Sequence, residues 1–148
     1  MAFHFPLQVV LHFRESVEHQ EELRLRAANQ RAARVRRLLE QAEQATLELK
    51  SAQAKELGAG TTAAELRFAM QCEDELQRHC RDLRQQLEAL QQACERQREV
   101  FRQAKRARET LESVRQQQLQ LYHKEAARRE QRRVDDLFLM RREYMARG

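Results

Sequence analysis

The sequence predicts an all-α protein: an antiparallel two-helix coiled-coil hairpin with a longer, overhanging C-terminal helix. Three observations predict it. The composition is that of long helices, with 34% charged residues, 5% aromatics and no Trp. Apolar residues recur at alternating steps of three and four along two arms. The two internal glycines, Gly58 and Gly60, lie together between those arms, and the only proline is Pro6. So few large apolar residues cannot surround a wide core, but they can fill a narrow seam between helices. The whole chain, 1–148, is therefore read as a single coiled-coil domain, with helix 1 over about 7–57, a turn at 58–61 and helix 2 over about 62–146.

The first element opens with MAFHFPLQVVLHFRESVE. It is apolar, but it has no basic leader and no small-residue cleavage site, so it reads as structure and not as a signal peptide. No stretch approaches the ~20 apolar residues of a membrane span. The first-arm seam comprises Leu7, Val10, Val17, Ala28, Val35, Leu38, Ala42, Ala45, Leu49 and Ala52. Arg14, Glu21, Arg24 and Arg31 interrupt it, and a second stripe at Leu11, Leu25, Ala32 and Leu39 widens it.

The turn follows. Gly58 and Gly60 are expected to supply the positive φ values that a reversal needs. Thr62 and Glu65 have the spacing of a capping box for the next helix. In the second arm the seam runs through Leu66, Ala69, Leu76, Cys80, Leu83, Leu87, Leu90, Cys94, Phe101, Ala104 and Leu111. Only Glu73, Gln97 and Arg108 interrupt it. The 3.5-residue spacing implies a left-handed supercoil. Folding the chain at Ala59 places Leu38 opposite Cys80, Val35 opposite Leu83 and Leu7 opposite Leu111, with large residues often facing small ones. Polar layers at Arg14, Glu21–Gln97, Arg24 and Arg31 are expected toward the open end, where they fix register and weaken packing.

The overhang is the last element. Residues 112–148 have no partner in this folding scheme and would extend ~55 Å at ~1.5 Å per residue. Their final stretch, VDDLFLMRREYMARG, concentrates apolar and charged side chains where the hairpin cannot satisfy them. The expected partner-binding residues are Arg132, Arg133, Val134, Asp135, Asp136, Leu137, Phe138, Arg141 and Arg142. Val134, Leu137 and Phe138 are the apolar anchors, and the arginines are the charge partners.

Catalytic and metal chemistry find no footing. His4, His12, His19, His79 and His123 are scattered, and Cys72, Cys80 and Cys94 form no CxxC pair. The Gly-Ala-Gly stretch lacks the lysine and spacing of a phosphate loop. No enzyme activity, cofactor, metal or small-molecule substrate is expected, and unpaired thiols suit a reducing compartment. A formal net charge of +5 permits an acidic or anionic partner without choosing one. Interleaved carboxylates and the lack of an aromatic stacking surface speak against nucleic acid.

Three motifs carry a resemblance. Near the start stand Phe5, Leu7, Val10, Leu11, Arg14, Glu15 and Glu18. The turn reads GAGTTAAEL. Near the end stand Glu130, Gln131, Val134, Asp135, Asp136, Arg141 and Arg142. In this order the chain resembles the FliJ family of flagellar type III export components over nearly its whole length. The resemblance implies a non-catalytic coiled-coil stalk, cytoplasmic and peripherally associated with the inner membrane. Its implied partners are the hexameric export ATPase, the export-gate membrane protein and the export chaperones. A stalk of a virulence injectisome, a generic coiled-coil scaffold and a basic nucleic-acid-binding helix are the rival readings.

Overall fold

The computed structural model describes residues 2–148. Two α-helices pack against each other, α1 from Gln8 to Ala59 and α2 from Ala63 to Arg147, and the described residues hold no strand. The fold is an all-α helical hairpin.

Only three residues separate the helices. Gly60 has φ +89°, the left-handed conformation that closes a helix C-terminus. Gly58 lies inside α1 and does not take a positive φ, so the turn needs one glycine and not two. The Thr61 hydroxyl donates to the Glu56 carbonyl at 2.9 Å, satisfying one of the orphan acceptors at the end of α1. The capping box is present: Glu65 N–H donates to Thr62 Oγ1 at 3.3 Å, and Thr62 N–H donates to Glu65 Oε2 at 3.2 Å.

Contacts group the chain into two compact units, one of residues 19–102 and the other of residues up to Glu18 together with 103–148. The first is the turn-proximal hairpin. Its core is Leu39, Ala42, Cys80 and Leu83, flanked by Val35 and Leu87. Ala32 and Cys94 are also buried, whereas Leu49, Leu76 and Leu90 are half-buried.

Here the first arm departs from the expected register. Leu38 is 45% exposed, while Leu39 and Ala32 take the buried positions; in the second arm Leu66 is exposed as well. The seam follows 25, 28, 32, 35, 39, 42, 46 and 49, so every second position moves by one residue. The physical reason is the side chains exchanged. The shift brings Leu25 and Ala32 inward and leaves Arg24 and Arg31 exposed. Holding unpaired guanidinium groups in an apolar seam costs several kcal/mol. The helices also turn later than a reversal at Ala59 requires. Thr46 Oγ1 lies 3.9 Å from Cys80 Sγ, and Gln53 Nε2 donates to the Ala69 carbonyl at 3.0 Å. Lys50 pairs with Glu73 and Arg84 with Glu43. The midpoints of these pairs fall between residues 61 and 64, in the interhelical connection and the first residues of α2, and not at Ala59.

Of the polar layers, the one at Glu21 and Gln97 is present. Glu21 is 8% exposed, and its carboxylate accepts from Gln97 Nε2 and from Arg24 Nη1. Two charge-assisted hydrogen bonds make that burial tolerable.

Candidate functional site: the exposed C-terminal segment of α2

The second unit positions the site. Its paired part rests on a few deep contacts. Leu11 is only 1% exposed. Arg108 grips Glu18 with two bonds, Nε to Oε2 at 2.7 Å and Nη2 to Oε1 at 3.3 Å. This fork geometry is the favourable one for arginine and carboxylate. The Glu18 hydrogen bond is the largest cause that raises the Arg108 pKa above its ordinary value. Desolvation opposes it, while the charges of Glu18, Glu109 and Glu112 assist.

Pairing does not end opposite Leu111. Ahead of α1, residues 2–7 are not helical, yet Phe5 is 3% exposed and the Phe3 ring meets Tyr122 at 5.6 Å between centroids. From the Glu18–Arg108 pair, fifteen residues back along the chain reach Phe3 and fourteen forward along α2 reach Tyr122, so the pairing continues nearly one for one past the start of α1. The unpartnered stretch is therefore 123–148, not 112–148. Every residue in it is exposed.

That stretch carries a directional surface. At 3.6 residues per turn, Val134, Leu137, Phe138, Tyr144 and Met145 share an arc of roughly 120°. All are exposed, Phe138 by 67% and Tyr144 by 83%. Arg141 stands within the arc, and Arg133 and Arg142 border it. Among the described residues these three arginines have no ion-pair partner. The helix thus presents apolar side chains flanked by free cations.

The expected site residues divide over this geometry. Val134, Leu137 and Phe138 fall on the arc, with Arg133, Arg141 and Arg142 in or beside it. Arg132, Asp135 and Asp136 lie toward the back of the helix, where Gln131 Nε2 donates to Asp135 Oδ1 at 3.0 Å. Tyr144 and Met145 belong to the arc although they are not among the expected anchors. The signal for them is the spacing of seven residues from Leu137 and from Phe138. The arc is turned roughly a quarter-turn from the line of Leu111, Arg115, Gln118 and Tyr122. Continuing the intramolecular seam would not cover it.

Comparison with known proteins decides which family this is. The family described as Flagellar FliJ protein matches residues 3–145. The chain belongs to the FliJ family. The match takes in Phe3 at one end and the apolar arc through Met145 at the other. No curated protein and no solved structure matches this FliJ-family chain. As a FliJ protein it is a component of the flagellar type III export apparatus, in which the family is non-catalytic. Among the described residues no helix is long and apolar enough to cross a membrane.

Proposed function

We infer that this FliJ chain is the stalk of the export apparatus. In this reading the C-terminal segment of α2 enters the hexameric export ATPase, and the paired helices reach the export-gate membrane protein. Export chaperones are further partners. The chain would then work in the cytoplasm, held at the inner membrane through the gate and not by insertion into lipid. The observation that supports this most is the arc of Val134, Leu137, Phe138, Tyr144 and Met145 with Arg133, Arg141 and Arg142 around it. Such a face fits an apolar groove rimmed with carboxylates, in the manner of helix-in-groove recognition.

The mechanism is mechanical and allosteric. The ATPase ring supplies the hydrolysis. A stalk can transmit the state of the ring only if its tip binds the ring's conformations with different affinity. Apolar anchors supply affinity, and arginines facing carboxylates supply orientation and discrimination. The test is a Leu137→Ser/Phe138→Ser double substitution, assayed with the purified flagellar export ATPase. Stimulation of hydrolysis and binding should both fall by about tenfold or more, because buried apolar anchors dominate such interfaces. Unchanged stimulation and binding would remove the tip from the mechanism.

A further inference from the structure

We propose that residues 2–7 form a displaceable strap on α2, closed over Tyr122 in the free protein and displaced when a partner takes the exposed helix beyond it. The proposal rests on the reading of that helix as the docking end. Pro6 has a fixed φ and no N–H, and it drives Phe5 out of the helical region. Accordingly α1 begins only at Gln8, with a turn closed by Gln8 N–H donating to the Phe5 carbonyl at 3.1 Å. The strap is held by side chains. Phe5 is buried, Phe3 lies tilted against Tyr122, and Tyr122 meets His123 edge-on at 5.7 Å.

Two aromatic anchors favour closure, while the backbone freedom of the strap residues favours release. These contributions have opposite sign, and only their difference holds the strap closed. Closed, the strap ends where the fully exposed helix begins: Gln118, Leu119 and Tyr122 are half-buried, and everything from His123 onward is exposed. Open, it adds Tyr122 to the exposed surface. Met140 stands five full turns beyond Tyr122 on the same line of the helix, and Leu137 and Tyr144 lie within roughly 60° of it. The strap site and one edge of the apolar arc therefore share a side of α2. A partner that grips this edge and runs along α2 meets the strap, and its apparent affinity is reduced by the fraction of strap that is closed.

Fluorine NMR on the full chain carrying 3-fluorotyrosine tests this. The chain has two tyrosines, and Tyr144→Phe leaves Tyr122 as the single probe. The free protein should show Tyr122 exchanging between two environments. Phe3→Ser/Phe5→Ser should collapse them to a solvent-like signal, and saturating purified flagellar export ATPase should move the signal the same way. With Tyr144 retained, the double-serine variant should bind that ATPase about three- to tenfold tighter. A Tyr122 signal unmoved by the serine substitutions overturns the strap. A signal that the variant moves but saturating ATPase does not overturns its displacement. Failure of the ATPase to bind either chain overturns the docking reading, and the strap is then judged by the fluorine signal of the free protein alone.

Discussion

Gly58 and Gly60 are two residues apart in sequence and opposite in consequence. Nothing lies within 4 Å of a Cβ built on either, so space does not distinguish them. Conformation does. Gly60 holds φ +89°, where a side chain is strained, and Gly60→Ala should destabilise by about 1–2 kcal/mol. Gly58 is helical, and Gly58→Ala should stabilise by about 0.5–1 kcal/mol. Thermal melts followed by circular dichroism would check both signs, and a loss at Gly58 equal to that at Gly60 would contradict this account of the turn. The Glu18–Arg108 fork gives a pH prediction. A raised arginine pKa contributes stability that is fully present below the unfolded value and lost only as pH rises through the folded one. Both lie above the neutral range. Arg108→Met should therefore lower stability by about 1–2 kcal/mol, by the same amount at about pH 7 and pH 9. Guanidinium titrations at the two pH values test it, and a penalty that vanishes by pH 9 would contradict it.

At the scale of elements, the seam of α2 is legible in the sequence because Cys80, Leu83, Leu87, Leu90 and Cys94 keep a strict three-four spacing. The first arm is less so. Its seam is rich in alanine, and two stripes one residue apart compete for it. The decision between them lies in Arg24 and Arg31, which the apolar pattern alone does not weigh. The strap is not legible, since a non-helical segment anchored by Phe3 and Phe5 has no helical period and Pro6 marks only where α1 cannot begin. The same packing predicts how the thiols react. Cys80 and Cys94 are buried and Cys72 is half-buried. In a thiol-exchange assay on the native chain Cys72 should react first, with Cys80 and Cys94 following only as the helices open, in a slow phase that denaturant accelerates. A single rate for all three would show that the seam does not hold.

For the molecule as a whole, charge and apolar surface are concentrated after Tyr122. Lys124 and seven arginines stand there against five carboxylates, so +3 of the formal +5 lies in residues 123–148. The exposed apolar and charged surface at the end of the chain was recognisable from VDDLFLMRREYMARG. Its facing was not, because the turn of the arc away from the seam depends on where intramolecular pairing stops, at Tyr122 and not at Leu111. The central claim is that this segment engages the export ATPase and contributes little to holding the helices together. The most direct test is a binding isotherm of the purified flagellar export ATPase with the chain ended after Tyr122, beside the full chain. The account predicts that binding weakens by at least about tenfold while the melting of the paired helices is nearly unchanged. Equal affinity of the shortened and full chains would contradict it.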